Sequence, residues 1–193
     1  MTDLLDMHGT AMAEFDRRMH EIGPTQWADR TPCTEWDVHD LVDHLVTEQL
    51  WVPYLLDGGR IEDAGDRFDG NPLGDEPVRT WEVAAREARR AWLRPGATEE
   101  TVHLSFGDAE GSLYLWQMTF DLAVHAWDLA KGIGADPTLN SELVAFLLDS
   151  EDLRGDIAPG QSDGLNPMFA PQPRVADDAD GQTLLLAKTG RSA

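Results

Sequence analysis

Apolar side chains recur every three or four residues along most of the chain, which is the spacing of one face of an α-helix. Glycine and proline interrupt the pattern after successive stripes, as at Gly23 and Pro24, and such residues end helices. The pattern predicts five helices, over residues 5–22, 34–57, 78–92, about 112–131 and about 141–153. We therefore predict an all-α protein, a bundle of four helices followed by an extra C-terminal helix.

The second helix is predicted to begin at Thr34, because its hydroxyl is a good N-cap. Acidic residues follow it in the first turn, where they favour the helix N-terminus. Pro53 lies inside this helix and is expected to kink its last turn. Residues 58–76 are acidic, rich in glycine and aperiodic, which predicts a long surface connection to the third helix. Residues 101–106 alternate in polarity and predict a short extended piece, on which we do not expect a sheet to be built.

The length of 193 residues and an apolar content of 41% suit one domain with a real core. We expect residues 1–193 to form that single domain. Residues 154–193 would be a mostly irregular C-terminal extension containing a short apolar turn at 184–187. The tryptophan-rich helices are compatible with a homodimer.

Charge and sorting signals narrow the class of protein. Lys and Arg number 15 against 36 Asp and Glu, a net charge of −21, which opposes binding to nucleic acid or to anionic lipid. The longest apolar run, 143–148, is too short to span a membrane, and the N-terminus has no secretion-signal pattern. The single cysteine, Cys33, rules out an internal disulfide and fits a reducing compartment. We expect a cytoplasmic protein whose partners are small molecules.

The fourth helix carries the strongest chemical signal, because polar residues form one line along an otherwise apolar segment. Gln117, Asp121, His125 and Asp128 are spaced at i, i+4, i+8 and i+11. Burying two carboxylates and an imidazole without partners costs several kcal/mol, about 3–5 for an uncompensated charge. A divalent metal ion is the simplest compensation, although a hydrogen-bonded core histidine is the commoner reading of one buried imidazole.

The second helix supplies a matching donor. His44 and Glu48 are spaced i, i+4 beside its apolar face. If the second and fourth helices pack side by side, His44 meets Asp121 and His125. Two imidazoles and one carboxylate leave a coordination position open, which is typical of catalytic rather than structural zinc sites.

Other polar residues give weaker signals. Cys33, just before a predicted helix start, is either a reactive thiol or a small buried side chain in a turn, and we favour the second interpretation. Trp36, Trp51 and Trp127 are packing residues that are also suited to wall a pocket. The remaining histidines have no partner at ligand spacing and are interpreted as surface or core residues: His8, His20, His39 and His103.

Two segments, TPCTEWDVHDLVDHLV (31–46) and DLAVHAWDLAKGIG (121–134), resemble the signature stretches of a known family. They are similar to the metal-binding domain of mycothiol-dependent maleylpyruvate isomerase and its actinobacterial relatives, within the DinB-like superfamily of helical bundles. The tail LLLAKTGR (184–191) is similar to the end of those relatives. The resemblance implies a DinB-like bundle with a long crossover between its second and third helices.

The resemblance also implies a ligand set: His44, Asp121 and His125, with zinc as the usual metal. Relatives often have Glu or His at the position of Asp121, and the shorter aspartate side chain is expected either to lower the metal affinity or to be assisted by Glu48 or Asp128. Asp128 is our candidate for orienting an imidazole or contacting the cofactor. We expect no separate C-terminal domain of the kind found in the full isomerase. We therefore do not expect the protein to isomerise maleylpyruvate.

Three functions remain open. The leading one is a metal-dependent S-transferase, in which the open metal position binds mycothiol as its thiolate and presents it to a small electrophile. The second is a metal-dependent hydrolase with Glu48 as the base. The third is a non-catalytic metal- or ligand-binding module, favoured by the lack of an unambiguous nucleophile or base beyond the ligands.

Overall fold

The computed structural model describes residues 3–150 and 173–192. The chain divides into two compact units, Met1–Pro137 and Thr138–Ala193, and the expectation of a single domain stays a prediction. The predicted all-α class is confirmed, because the two strands found in the described residues are short and form a single hairpin. The elements are the helices α1 (Leu4–Met19), α2 (Val38–Leu56), α3 (Pro77–Trp92), α4 (Gly111–Ile133), α5 (Ser141–Asp149) and α6 (Gly181–Lys188), and the strands β1 (Thr101–Leu104) and β2 (Gly107–Glu110).

Four helices pack together in the first unit, α1 against α4, α2 against α3, and α2 against α4. The apolar stripe of α1 is buried as predicted, and Phe15 lies with its ring centre 4.6 Å from that of Trp81 on α3. The indole N–H of Trp81 donates to Asp16 at 2.9 Å. The fully buried guanidinium of Arg18 donates to the carbonyl of Asp136 at 3.0 Å. These contacts fix α1 against α3 and against the chain that leaves α4.

The central helix is α4, and most of its residues are buried, as expected for a helix that is apolar nearly all round. Gly134, with a φ of 70°, ends α4 in the left-handed conformation. Gly132, just beyond the predicted end of this helix at about residue 131, lies inside it. Its missing side chain leaves room for a neighbouring segment, since a Cβ there would lie 3.2 Å from Thr31 and 3.3 Å from Val38. In the described part of the chain, no helix is long and apolar enough to cross a lipid bilayer.

The start of α2 differs from the prediction. Asp37, not Thr34, is the N-cap: its carboxylate accepts the N–H of Asp40 at 3.0 Å, and the Asp40 carboxylate accepts the N–H of Asp37 at 3.2 Å. The residues before it form a tight turn, in which the N–H of Trp36 donates to the carbonyl of Cys33 at 2.8 Å. This turn uses the backbone groups that a helix beginning at Thr34 would need. Pro53 lies within the last turn of α2, as predicted.

Between α2 and α4 the chain is less irregular than predicted. The crossover after α2 contains one short 3₁₀ turn, Ile61–Asp63. The extended piece at 101–106 does form a small sheet, because β1 pairs antiparallel with β2 in the register Thr101↔Glu110 and Leu104↔Gly107. The hairpin ends directly at α4, whose first N–H donates to the carbonyl of Glu100 at 2.8 Å.

In the second unit, α5 and α6 pack together. The predicted apolar turn at 184–187 is part of the α6 helix, which Asp180 caps by accepting the N–H of Thr183 at 2.7 Å. The helix α5 ends at Asp149, and residues 151–172, which include the end of the predicted fifth helix and the first part of the irregular extension, lie outside the described residues.

The capping box predicts a difference between two substitutions. Asp37→Ala removes a side-chain acceptor at the start of α2 and should lower the free energy of unfolding by about 1 kcal/mol. Thr34→Ala, at an exposed residue outside the helix, should change it by no more than about 0.5 kcal/mol. Urea unfolding of both variants measures the difference. Equal losses would show that Asp37 is not the functional cap.

Candidate metal centre

The packing of α2 against α4 brings the three predicted ligands together. His44 projects from α2, and its Nε2 lies 3.3 Å from Asp121 Oδ2. Asp121 and His125 are one turn apart on α4, and His125 Nε2 lies 3.3 Å from Asp121 Oδ1. All three residues offer a ligand atom within 4.8 Å of the other two. Side-chain exposure falls from 30% at Asp121 and 27% at His44 to 10% at His125, so the group is partly open to solvent.

The distances fit metal ligands better than hydrogen bonds. Two ligand atoms about 2.0–2.1 Å from a tetrahedral zinc ion lie about 3.3–3.4 Å apart, and both imidazole–carboxylate distances are 3.3 Å. A charge-assisted hydrogen bond is shorter, about 2.7–2.9 Å. Asp121 Oδ2 is buried and has no hydrogen-bond partner among the described residues. The donor set therefore fits a divalent cation.

Without a cation, the three groups shift each other's protonation. Burial alone would raise the pKa of Asp121, but the imidazoles of His125 and His44 hold this pKa well below its usual range. Burial would likewise lower the pKa of both histidines, yet the Asp121 carboxylate outweighs it and raises the pKa of His44 and, further, that of His125. The metal-free site therefore retains protons that a metal ion has to displace.

Asp128 lies behind the candidate ligands. It is completely buried, and its Oδ2 lies 2.9 Å from His125 Nδ1, a normal hydrogen-bond length. When Nδ1 of a neutral imidazole donates this bond, its Nε2 keeps a free lone pair. Asp128 therefore orients His125 so that Nε2 faces Asp121 and His44, the arrangement common behind metal-binding histidines.

The turn before α2 places two further residues beside the site. The sequence analysis did not predict this position for Cys33, and it named Trp36 only as one of three candidate wall residues. Cys33 was interpreted as a packing residue, but its thiol donates to Asp128 Oδ2 at 3.3 Å and lies 3.9 Å from His125 Nδ1. Trp36, one of three candidate wall residues, lies with its ring centre 4.9 Å from His44 and 5.7 Å from His125. Their position in TPCTEW, directly ahead of the helix that carries His44, was the available signal.

Glu48 follows His44 on α2, and Gln117 precedes Asp121 on α4, each by one helical turn. Neither residue belongs to the group of possible metal ligands. Glu48 is one turn beyond His44, and burial, followed by the charge of Asp121, raises its pKa to about 6. Gln117 is half-buried, and no hydrogen bond found among the described residues joins its side chain to the site. The predicted polar line on α4 therefore divides: its C-terminal three residues form the site and Gln117 does not.

The other histidines have separate structural environments. His8 is buried, its Nδ1 accepts from Arg89 at 3.2 Å, and burial and that charge lower its pKa to about 3. His103 lies against Asp108 at 2.6 Å on the hairpin. His39 lies close to Asp37 and Asp40, whose carboxylates already form the capping box. The proximity of these three residues is therefore explained by the helix cap and does not indicate a cation site.

Comparison with known proteins agrees with the fold and the motifs. The family model of the mycothiol maleylpyruvate isomerase N-terminal domain matches residues 8–130, which span α1 to α4 and all three candidate ligands. That range covers well over half of the chain. The protein belongs to this family.

Two curated relatives and one solved structure refine the comparison. The uncharacterized proteins Rv0738 and MT0763, from two strains of Mycobacterium tuberculosis, are each 30% identical over 98% of this chain and 100% of their own length. The crystal structure of the mycothiol-dependent maleylpyruvate isomerase superposes with a TM-score of 0.59 at 17% identity. The match covers 75% of this chain and 66% of the isomerase, and it establishes the DinB-like fold that was predicted.

The raised pKa of Glu48 predicts a pH-dependent effect of Glu48→Gln on stability. Because the folded-state pKa of about 6 exceeds the ordinary value of 4.5, protonated Glu48 stabilises the fold below pH 4.5. That contribution is lost as the pH rises through 6. In metal-free protein, Glu48→Gln should therefore be about 1–2 kcal/mol more stable than the parent at pH 8 and equal to it at pH 4.

Urea unfolding in the presence of a chelator measures this difference at both pH values. Glu35→Gln, at an exposed carboxylate in the turn before α2, is the control and should change stability little at either pH. A Glu48→Gln variant less stable than the parent at pH 8 would show that ionised Glu48 is stabilised by contacts rather than strained by burial.

Proposed function

We propose that this protein is a divalent-metal-dependent S-transferase that uses a low-molecular-weight thiol of the mycothiol type and acts on a small electrophile. The observation that carries the proposal is the convergence of His44, Asp121 and His125, with the buried Asp121 Oδ2 lacking a hydrogen-bond partner. These residues would hold the metal, with zinc the expected ion. Membership of the mycothiol maleylpyruvate isomerase family supports the choice of thiol.

Three protein ligands leave a coordination position free for an outside molecule. A zinc ion held there would stabilise a bound thiol as its thiolate, the nucleophilic form of sulfur. The partial exposure of His44 and Asp121 supports access from solvent. The indole of Trp36, close to both imidazoles, would form one wall beside the reacting sulfur.

Two carboxylates would support this chemistry in different ways. Glu48, with its pKa raised to about 6, suits proton transfer near neutral pH, and we assign it the proton that leaves the thiol sulfur. Asp128 would hold His125 Nδ1 and thereby keep Nε2 directed at the metal. Since the chain has a single cysteine, the reacting sulfur comes from the cofactor rather than from a pair of protein thiols.

A metal-dependent hydrolase is the second candidate, and the half-buried Glu48 near the open site favours it. In that reaction Glu48 would remove a proton from water rather than from a thiol. The two enzymes are separated by their thiol requirement: hydrolysis proceeds without added thiol, and sulfur transfer does not.

The first test measures metal content and thiol dependence in the purified full chain. We expect close to one zinc per chain, and conjugation of monobromobimane to mycothiol well above the rate of the protein-free mixture. His44→Gln should weaken zinc binding about a hundredfold or more and abolish the acceleration, since a lost ligand costs more than the 10–100-fold of a lost supporting residue. Far-ultraviolet circular dichroism confirms folding.

His20→Gln is the matched control, because His20 is an exposed histidine at the C-cap of α1. It should retain both zinc and activity. A parent protein that binds zinc but accelerates no thiol conjugation would support a non-catalytic module. One that binds no zinc would contradict the proposal as a whole.

Zinc affinity should rise with pH. The Asp121 carboxylate raises the pKa of His44 and of His125, so both imidazoles remain protonated to higher pH in the metal-free protein. A metal ion binds only the neutral rings, and each proton displaced weakens binding at low pH. Isothermal titration calorimetry at pH 6 and pH 8 should show tighter binding at pH 8 with proton release. Equal affinities would mean that the histidines are not the ligands.

A further inference from the structure

A second group of donors lies on the opposite side of His125 from His44. Cys33 Sγ, His125 Nδ1 and an Asp128 carboxylate oxygen lie within 4.8 Å of one another, and we name these three residues the Cys33 cluster. The sulfur lies 3.3 Å from Asp128 Oδ2 and 3.9 Å from His125 Nδ1, and the last two atoms are 2.9 Å apart. His125 and Asp128 are buried, while Cys33 is partly exposed.

We propose that the Cys33 cluster is a second metal site, selective for a thiophilic divalent cation such as Cd²⁺. In a tetrahedral zinc site with one thiolate, the ligand atoms lie about 3.3–3.6 Å apart, and the larger Cd²⁺ ion holds them slightly further apart. The observed separations of 2.9 to 3.9 Å bracket that range. A shift of a few tenths of an ångström in one carboxylate and in the turn that carries Cys33 would accommodate the ion.

The donor atoms determine which kind of metal ion each of the two sites prefers. Thiolate selects soft ions, whereas carboxylate and imidazole suit harder and borderline ones. The Cys33 cluster contains the sole sulfhydryl of the chain, and the site of His44, Asp121 and His125 has none. Binding at the cluster forms bonds from the ion to Sγ, Nδ1 and a carboxylate oxygen. It releases the thiol proton of Cys33 to solvent, while the single ring proton of neutral His125 is lost from Nδ1 and regained at Nε2.

The two sites share one imidazole and therefore compete. A neutral imidazole has one lone pair on nitrogen and one N–H. An ion on Nε2 leaves the proton on Nδ1, where Asp128 accepts it. An ion on Nδ1 places the proton on Nε2, which then faces Asp121 as a donor and no longer as a ligand. A thiophilic ion in the Cys33 cluster should thus weaken zinc binding by His44, Asp121 and His125 without occupying their site.

Titration of the metal-free full chain with Cd²⁺ tests the proposal directly. We expect thiolate-to-metal charge-transfer absorption in the near ultraviolet, saturating at one equivalent, and at least a tenfold loss of apparent zinc affinity. Because Cys33 is the sole cysteine, any such absorption reports on Cys33. Cys33→Ser should abolish the absorption and restore zinc affinity, and serine keeps a hydrogen-bond donor for Asp128.

Two further variants separate this site from the proposed zinc site. His44→Gln should keep the Cd²⁺ absorption and its affinity, although it loses zinc. Asp128→Asn should weaken Cd²⁺ binding about tenfold or more, whereas an isolated thiol would be insensitive to it. Absence of the absorption in the parent, its loss in His44→Gln, or an unchanged affinity in Asp128→Asn would overturn the proposal. None of these outcomes bears on whether the protein transfers sulfur.

Discussion

The structure around α2 and α4 depends on the need to compensate ionisable groups taken out of water. Asp121, His125 and Asp128 lie on the most buried helix of the first unit, and an unpaired buried charge costs several kcal/mol, about 3–5. The imidazoles and carboxylates partly neutralise one another, and His44 from α2 completes the set. The contact between the two helices is therefore polar at this point, inside a core that is otherwise apolar.

Much of this could be predicted because the relevant signals are local. The helical periodicity of α4 shows that Asp121, His125 and Asp128 share one side, whatever the helix packs against. The pairing of His44 with them required only that α2 and α4 be neighbours. The family resemblance and the residue spacing indicate the same three ligands for independent reasons.

The errors arose where the backbone leaves regular structure. Periodicity does not report on the turn before α2, and so Thr34 was predicted as the cap that Asp37 provides. For the same reason Cys33 was interpreted as packing, although the turn places its thiol against Asp128. These contacts depend on the tertiary placement of a loop, which side-chain spacing within a helix cannot encode.

The absence of a side chain at Gly132 has a consequence for protein design. The backbone segment at Arg30 and Thr31 packs directly against α4 at Gly132. The Arg30 carbonyl lies 3.4 Å from the position that a Cβ on Gly132 would occupy. Transplanting His44, Asp121 and His125 onto another helical scaffold would reproduce the three candidate ligands alone. The turn that places Cys33 against Asp128 could pack on the recipient helix only if that helix also had a glycine one turn beyond Asp128.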